Sequence, residues 1–556
     1  MKRLTFLVAL FMLANLSFAG GLLTNTNQSA QFIRMMSRNA SLDIDAVYYN
    51  PAGLIKMEDG WHFAFHSQTI FQDKTVESKF PLLNDGSYLG KVKVPVFPTA
   101  FAVYKSKDWA FSFGFGPNAG GGSADFERGL PSFEIPITKV VPGLAGLTQI
   151  NPALAVQGYD ADLSFSGSSI FWGIQLGATY QISDAISVYG GVRYMPSTNA
   201  YAGSIRDVEL NVAGQMVGAG DWLTQTAGMI TGLASQASAG AELLGGTATS
   251  MQQLIDGGAS DFTLAQLEGA GYIDAATNAG ITGGLLSLGL TQNQIDAMNL
   301  ATVQGTYSTA AATYAGQATQ LIGTSALLAG TADQMGDREV DTKQTGAGFT
   351  PIIGINISPN EDWNIAAKYE HQTYMTLTNS TKIDDLGMFT DGDEVNSDVP
   401  GIFALGVGYK GLDWLEAQLS YNMYLNKGVD WGGNVRDGAT GATVREREID
   451  KNGYEIGLGL QFNLSDNFAF SVGGLYGDMG IADSYQSDFS YSNASFTPGA
   501  GIMWKITDEL TFNAGVSNTI YFDSEVTFND PDVGSYNEIL GKTTLTFAAG
   551  LSYSIF

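Results

Sequence analysis

The sequence predicts an all-β protein: a 14-stranded antiparallel transmembrane β-barrel with an N-terminal internal plug, the hatch, and a partly helical extracellular insertion. Three observations favour this fold: strands that alternate in polarity, short turns that alternate with long connections, and tryptophans placed at strand ends. The composition agrees, because the chain has 69 Gly, 31 Phe and 24 Tyr but no Cys. Barrels need crowded strands and aromatic belts, and an exported barrel without Cys is stabilised by closure and packing.

Alternation with a period of two residues recurs about fourteen times along the chain. In the clearest segment, Trp109–Gly116, four aromatic residues alternate with Ala, Ser and Gly. The segments Ile170–Tyr180 and Trp363–Glu370 repeat the pattern. One face of such a strand suits hydrocarbon and the other suits a lumen. Soluble β-sandwiches also alternate, so alternation alone does not decide between the two folds.

Connection lengths favour the barrel. Six short polar turns are predicted at Ser106–Asp108, Ser183–Ala185, Ser358–Asp362, Gly411–Asp413, Leu464–Asp466 and Ile506–Glu509. Seven long connections lie between the hairpins that these turns make, and the longest covers 206–346. Short periplasmic turns that alternate with long external loops are typical of bacterial barrels. Six turns and seven loops join fourteen strands.

Tryptophan positions provide an independent indication. Five tryptophans fall at predicted periplasmic strand ends: Trp61, Trp109, Trp363, Trp414 and Trp504. Trp172 lies about ten residues above its turn, which is one membrane-spanning strand away. This is the placement of aromatic belts at the two membrane interfaces. Trp222 and Trp431 fall in predicted external loops and do not test the idea.

Five parts are predicted along the chain. They are a signal peptide at 1–19, the hatch at 20–60, barrel strands 1–5 at 61–205, the extracellular helical insertion at 206–346, and strands 6–14 at 347–556. Lys2 and Arg3 precede a short apolar stretch, and small residues at Ser17 and Ala19 predict cleavage after Ala19.

Two capping boxes predict helices inside the insertion. Thr263 with Gln266, and Thr291 with Gln294, each place a hydroxyl residue three positions before a glutamine. A flexible low-complexity loop is the alternative, because Gly recurs often in this region. The insertion carries no Lys or Arg between Arg206 and Arg338.

Charge and motif content exclude several classes of function. A net charge of −28 disfavours nucleic acid as a partner. His62 and His66 share a strand face, but no G-x-S-x-G motif accompanies them, so no catalytic residue is predicted. An acidic cluster at 391–394 matches no calcium-loop spacing, so neither a metal site nor another cofactor is predicted.

An Asn-Pro-Ala triplet precedes the first strand, at Asn50, Pro51 and Ala52, and Gly53 and Leu54 follow it. An apolar start after the signal, Gly20–Leu23, and the segment Lys107–Pro117 accompany the triplet. With these features the chain resembles the FadL family of outer-membrane transporters for long-chain fatty acids and other hydrophobic compounds. The resemblance covers the whole mature chain and includes the number and order of the strands.

The resemblance implies a mechanism. The hatch would fill the barrel, external loops would catch the ligand, and an inward kink in the third strand would open a gap for sideways exit into the membrane. The resemblance places Asn50–Leu54 beside that gap and the kink at Gly114, Phe115 and Gly116. It also brings Leu22 and Leu23 to the ligand pocket. A simpler role for Asn50–Pro51 is the turn that enters strand one.

Uptake of hydrophobic molecules across the bacterial outer membrane is therefore the predicted function, with long-chain fatty acids as the main substrate. A fatty acid gains about 0.8 kcal/mol per buried CH₂, so a wall opening that leads into lipid favours release. The predicted partners are the substrate and outer-membrane lipid, and the predicted state is a monomer. Arg193 and Lys368 are inward-facing candidates for contact with a carboxylate. The alternatives are a channel for aromatic hydrocarbons, a water-filled porin or a surface adhesin, with a barrel lipase further removed.

Overall fold

The computed structural model describes residues 24–430, 435–436, 443–445 and 451–556. The predicted signal peptide lies outside the described residues, as do Leu22, Leu23 and Trp431. The chain divides into two compact units. The barrel unit contains the described residues up to Leu144 together with 161–207 and 337–556. The helical unit contains residues 145–160 and 208–336.

The described residues form twenty strands, two of which, β13 and β14, form a separate short hairpin. Their bounds are β1 Gly60–Ser78, β2 Ser87–Ser106, β3 Trp109–Phe126, β4 Val156–Ser183, β5 Ile186–Val212, β6 Gln215–Gly218, β7 Arg338–Ile357, β8 Trp363–Glu370, β9 Thr376–Asp384, β10 Glu394–Asn396, β11 Gly401–Leu412, β12 Leu415–Leu425, β13 Val435–Arg436, β14 Thr443–Arg445, β15 Gly453–Ser465, β16 Phe468–Asp478, β17 Ser495–Lys505, β18 Leu510–Tyr521, β19 Ser524–Asp530 and β20 Gly534–Ile555.

The wall is a closed antiparallel barrel. Successive strands pair around the wall, and β1 completes the circle by pairing with β20 from Trp61↔Ile555 to Ser78↔Glu538. Three wall positions consist of two segments each: β8 with β9, β10 with β11, and β18 with β19. The short strand β6 forms a hairpin with the end of β5 and is not counted as a wall strand. Counted this way, the wall has fourteen strands, and the predicted fold class is confirmed.

The outer surface of the barrel is apolar and ends in an aromatic belt. All five tryptophans predicted at turn-side strand ends are exposed. The Trp61 ring lies 4.8 Å from that of Tyr104, and the Trp109 ring lies 4.7 Å from that of Tyr180. An exposed apolar band that ends in such a belt faces lipid, because exposing so much apolar surface to water would be unfavourable. The barrel is therefore transmembrane.

The hatch lies inside the barrel. It contains helices α1 (Ala30–Met35) and α2 (Ala46–Tyr49) and a 3₁₀-helix over Pro51–Lys56. The Ser29 side chain caps α1 by accepting a hydrogen bond of 3.0 Å from the backbone N–H of Phe32. Every residue from Gln28 to Ser41 is buried. The predicted internal plug is confirmed.

Glycines of the wall let the hatch backbone lie directly against the strands. A Cβ atom at Gly459 would come 2.5 Å from the carbonyl oxygen of Met35, and one at Gly515 would come 2.8 Å from the nitrogen of Arg34. The same close approach occurs at Gly406, Gly457, Gly473 and Gly499. We call these six residues the glycine track. No other residue type fits there, since Cβ atoms essentially never approach other atoms so closely.

Ionic and polar bonds hold the hatch fold together. The Arg38 guanidinium donates to both carboxylate oxygens of Asp45, at 2.9 and 2.8 Å, and both side chains are buried. Ser29 and Ser41 also donate to the Asp45 carboxylate. Burial raises the pKa of Asp45, but the adjacent Arg38 charge and the hydrogen bonds from Arg38, Ser41 and Ser29 together outweigh burial and hold that pKa below its usual range.

The remaining helices are α3 Pro131–Thr138 and α4 Val140–Gly143 in the barrel unit and α5 Ala219–Leu254, α6 Leu264–Gly269, α7 Ala275–Ser287, α8 Gln292–Asp296 and α9 Leu300–Gln334 in the helical unit. Helices α5 and α9 pack along each other, and the residues between them form a small buried core. Among the described residues, no helix is both long and apolar enough to cross a membrane.

Both predicted capping boxes are present. Gln266 Oε1 accepts from the N–H of Thr263 at 2.8 Å, and the Gln294 side chain makes the same bond to Thr291 at 2.8 Å. The ends of the insertion differ from the predicted 206–346, because β5 continues to Val212 and β7 begins at Arg338. The two strands pair as far as Ile205↔Arg338, and the end of β5 from Glu209 to Val212 pairs with β6. The extracellular position of the insertion stays a prediction.

Candidate functional site: a wall break and a lumen cavity

The pairing between β2 and β3 is interrupted in the upper part of the wall. The strands pair from Ser106↔Trp109 to Ala100↔Phe115 and again from Val92↔Ala124, but not between these points. We call the unpaired segments, residues 93–99 and 116–123, the wall break. On its other side β3 remains paired with β4, with bulges after Pro117 and Gly120. The break is thus a local separation of two strands within a closed barrel.

The residue types at the break explain why pairing stops. Pro95 and Pro98 have no N–H to donate, so β2 loses two ladder hydrogen bonds there. Gly120 and Gly121 have φ values of 66° and 120°, which other residues rarely adopt, and they turn β3 out of register with its neighbour. Pro117 removes a further donor from β3.

The first described residues of the hatch satisfy the carbonyls that the break leaves unpaired. We call residues 24–28 the strap. The Asn25 side-chain amide donates to the carbonyls of Gly120 at 2.7 Å and Pro117 at 3.2 Å. Gln28 Nε2 donates to Pro117 O at 2.8 Å, and the Asn25 backbone N–H donates to the carbonyl of Asn118 at 2.7 Å. The strap therefore substitutes for the missing strand contacts, which lipid could not provide.

A cavity of about 390 Å³ lies next to the break inside the barrel. Its lower walls are apolar and include Ile33, Met36 and Phe97. The strap and Gly120–Gly122 also line it, so the cavity reaches the wall break. A molecule in this cavity would therefore lie beside the strap and beside the interrupted pair of β2 and β3.

Two lysines line the upper part of this cavity. Lys74 of β1 and Lys542 of β20 are direct cross-strand partners, and both point inward. Their ammonium groups lie 5.3 and 4.4 Å from the centre of the Tyr491 ring. Lys542 also donates to the carbonyl of Tyr491. Within the described chain, neither lysine forms an ion pair with a carboxylate.

The predicted gate segment lies elsewhere. The Asn50 amide donates to the carbonyl of Ser41 at 3.0 Å and to Asn356 Oδ1 at 2.8 Å. The carbonyls of Pro51 and Ala52 accept hydrogen bonds from hydroxyl groups of β4 and β5. One of these, Thr179, pairs with Ala110, near the turn-side end of β3 and below the break.

The family resemblance placed Asn50–Leu54 beside the gap in the wall, but in the structure this segment lies below the wall break. The segment makes the turn from α2 into the 3₁₀-helix, with Pro51 in its first turn, and anchors the hatch to β4, β5 and β7. Asn25 and Gln28 occupy the position at the break instead. Of the predicted kink residues, Gly114 and Phe115 are still paired with β2, and Gly116 is the first unpaired residue.

Arg193 and Lys368 point inward, as expected, but each has a protein partner. Both bind the buried carboxylate of Glu370, at 2.5 and 2.6 Å. Lys368 also donates to the carbonyl of Tyr48 in the hatch at 2.5 Å, and both cations lie over the Tyr48 ring. These residues hold the hatch to the wall, and their charges are not free for a ligand.

The surroundings of His62 and His66 differ from those of a catalytic histidine. His62 Nδ1 lies 2.8 Å from Ser554 Oγ, but its Nε2 lies 2.9 Å from the backbone carbonyl of Glu58 where a triad would have a carboxylate. His66 faces the start of α1, with Nδ1 at 3.5 Å from the N–H of Ala30. Within the described residues, no group of three or more His, Asp or Glu side chains could hold a metal ion.

Several solved structures have a similar fold. A Pseudomonas aeruginosa FadL homologue superposes with a TM-score of 0.55 at 11% sequence identity, over 96% of this chain and 100% of that chain. The deltaS2S3 mutant of the monoaromatic hydrocarbon channel TodX gives 0.50 at 10% identity, over 95% and 99%. The Pseudomonas putida toluene transporter TodX gives 0.46 at 12% identity, over 96% and 99%.

Sequence comparison adds less. The profile of the family described as TonB dependent receptor-like, beta-barrel, matches residues 287–541, which is less than half of the chain. No curated protein matches the sequence. The closed wall, the lipid-facing belt and the structural similarities agree with one another. The chain thus has the fold of the FadL-type transporters of the bacterial outer membrane, a fourteen-stranded barrel with its own N-terminal segment inside.

Proposed function

We propose that this protein takes up hydrophobic molecules that carry an anionic head group, with long-chain fatty acids as the main class, and releases them sideways through the wall break. The observation that carries the proposal is the pair Lys74 and Lys542, two ammonium groups that line a cavity whose lower walls are apolar. Glu455 contributes a carboxylate to the same lining but forms no ion pair with either lysine within the described residues. A carboxylate placed between them would supply the missing counter-charge.

The cavity suits such a ligand along its length. The lysines lie level with Gly90, above residues 93–99 of the break, whereas Ile33 and Met36 lie deeper, on the hatch. A fatty acid would therefore bind with its carboxylate toward the lysines and its chain toward the hatch and the break. Each CH₂ group that enters contributes about 0.8 kcal/mol.

Sideways release through the wall break is favoured because the hatch blocks a straight passage to the periplasm. The hatch backbone packs against the glycine track, so a straight passage to the periplasm would require the hatch to detach. At the break, by contrast, the strap makes a few hydrogen bonds of about 1 kcal/mol each. Movement of the strap would open the cavity to lipid, where an alkyl chain is stable.

A channel for neutral aromatic hydrocarbons is the second candidate. It is supported by the aromatic side chains in the cavity wall, including Phe97, Phe126 and Phe165. A neutral arene gains nothing from the lysine pair, so the two candidates differ in their dependence on Lys74 and Lys542. The hatch argues against a water-filled porin, and an adhesin would not need the lysine-lined cavity.

Ligand binding to the purified protein tests the proposal. We expect the double variant Lys74→Gln/Lys542→Gln to weaken binding of dodecanoate by at least about tenfold, about 1.4 kcal/mol. Lys91→Gln, at an exposed lysine of β2, is the matched control and should change nothing. Toluene binding that is strong in all variants, with no dodecanoate binding in the wild type, would favour the second candidate and reject the first.

A further inference from the structure

A second, smaller cavity of about 20 Å³ adjoins the lumen cavity. It lies among the upper ends of β5 and β7 and the segment 386–389, and its lining is almost entirely apolar. The two cavities share three lining residues: Phe165, Tyr201 and Phe489. These three side chains therefore form the partition between an outer recess and the lysine-lined lumen.

Phe489 is the member of this partition that comes from a loop. Its ring packs edge-to-face on Phe165 at 5.2 Å and on Phe133 at 5.3 Å. Phe165 belongs to β4, which is fixed in the wall, and Phe133 belongs to α3. Edge-to-face contacts of this kind contribute about 0.5–1.5 kcal/mol each, which is small enough for a ring to leave and return.

The backbone on both sides of Phe489 is held in place. Before it, Asp488 accepts a hydrogen bond of 2.9 Å from the N–H of Ser132. After it, the Tyr491 hydroxyl donates to the carbonyl of Gly541 at 2.9 Å, and Asn493 Nδ2 donates to Leu540 O at 2.8 Å. With both flanks anchored, the ring can move by rotation about its side-chain bonds while the loop stays in place. Because the loop backbone stays in place, rotation of the Phe489 ring opens only a narrow passage between the two cavities.

We propose that Phe489 is a size filter: its ring closes the passage from the outer recess to the lumen cavity and admits slender chains more readily than bulky groups. The inference rests on the proposed function, because a filter has a use only in a protein that admits a ligand. The inference names the side chain that limits the width of the ligand, which the proposed function does not specify.

The absence of Cys from the chain permits a direct test. The variant Thr519→Cys places a single thiol in the lining of the lumen cavity. The folded full-length barrel, in intact outer membranes, is then exposed from outside to one of two thiol reagents: a small methanethiosulfonate or a bulky fluorescein maleimide. We expect Phe489→Ala to accelerate labelling by the bulky reagent by at least about tenfold and labelling by the small one by less than about twofold.

Phe80→Ala is the matched control. Phe80 is also a loop phenylalanine with an edge-to-face partner, Tyr536 at 5.0 Å, but it lines neither cavity. Its replacement should leave both labelling rates unchanged. Phe489→Leu, which keeps an apolar side chain, is used if the alanine variant does not show the heat-dependent gel shift of a folded barrel.

Two outcomes would overturn the filter: equal effects of Phe489→Ala on the two reagents, or no effect on either. Because the labelling reaction needs no substrate, its result is independent of dodecanoate binding. Loss of dodecanoate binding with a normal labelling ratio would reject the proposed function and leave the filter intact, so the two failures are distinguishable.

Discussion

Lys74 and Lys542 face each other across the β1–β20 pair, where two ammonium groups repel each other. Like charges at directly opposite positions destabilise an antiparallel pair, and partial burial adds a desolvation cost. Tyr491 offsets part of this cost through its ring and its carbonyl. An anionic ligand would offset the rest, which is the physical reason to expect ligand binding at this position.

Sequence alone could not bring these lysines together. They lie on the first and last strands of the wall, and they become neighbours only through the register of barrel closure. Arg193 and Lys368, which alternation did place inside, turned out to be neutralised by Glu370. Alternation reports which face a side chain is on, but it carries no information about the partner across the lumen.

Asn25→Ala should loosen the wall break. The change removes the amide that serves the carbonyls of Pro117 and Gly120. Pro117 keeps its bond from Gln28, but the Gly120 carbonyl loses its strap donor, and an acceptor left without a donor costs about 1–3 kcal/mol. We expect faster backbone hydrogen exchange across residues 116–123. Asn27→Ala is the control, since Asn27 lies in the same strap but bonds to Gln68 of β1. Equal exchange in both variants would contradict the role assigned to the strap.

Asp45→Asn should alter the pH dependence of stability. The pKa of Asp45 is lowered in the folded protein, so its ionised form stabilises the hatch above the unfolded value of about 3.9, and this contribution is lost as the pH falls through the folded value. At pH 7 the variant leaves Arg38 without its buried counter-charge, at a cost of about 3–5 kcal/mol.

The measurement is thermal unfolding of wild type and variant at pH 7 and near pH 3. We expect a large difference in Tm at pH 7 that narrows in acid, because the stabilisation from the ionised carboxylate declines once the pH falls below the unfolded pKa of about 3.9. Ser37→Ala, which removes a neutral hatch–wall hydrogen bond, serves as the control and should give a difference that does not depend on pH. A constant difference for Asp45→Asn would disprove the ionic role.

At the scale of the elements, alternation and turn chemistry predicted the wall well. Each predicted short turn lies between two observed strands, as at Ser106–Asp108 between β2 and β3. Alternation alone did not reveal the wall break, because residues on both sides of it still alternate; a gap at the third strand was expected only from the family resemblance, which placed the kink at Gly114–Gly116. Its signal is present in Pro95, Pro98 and the glycines at 120–122, residue types that weaken strands wherever they occur. Only the pairing shows that they face each other.

Pro95→Val/Pro98→Val should partly close the break. The two replacements return N–H donors to β2, so that it can pair with β3 over a longer range. We expect uptake of labelled dodecanoate by cells to fall by at least about fivefold while the Kd of the purified protein stays the same, since only the exit is affected. A parallel loss of binding would mean that the prolines shape the cavity instead.

Pro351→Val is the control for this prediction. Pro351 lies in β7, away from the break between β2 and β3, and is paired with Val192 of β5. Its replacement should leave uptake unchanged. If Pro351→Val lowered uptake as much as Pro95→Val/Pro98→Val does, the lower uptake would result from the loss of any strand proline. The double variant would then give no evidence for release through the wall break.

At the scale of the whole molecule, the hatch and the wall depend on each other. The sequence indicated a segment without strand character ahead of Trp61, and an even number of strands to enclose it. Its contacts could not be predicted, because they join residues far apart in the chain, such as Arg34 with Gln461 at 2.6 Å and Asn39 with Asn422 at 2.8 Å. The high glycine content was visible, but its use as a docking surface was not.

Gly473→Val should displace the hatch. The side chain would collide with the carbonyl of Met35, and neither backbone can yield without breaking strand or helix hydrogen bonds. Gly474→Ala is the matched control, because a Cβ there meets only the ring of Phe496, at 3.2 Å. In planar bilayers we expect frequent ion-conducting openings for Gly473→Val and a closed baseline for the wild type and the control. A closed baseline for a folded Gly473→Val would mean that the hatch stays docked without close contact at the glycine track, and the argument for sideways release would lose its main support.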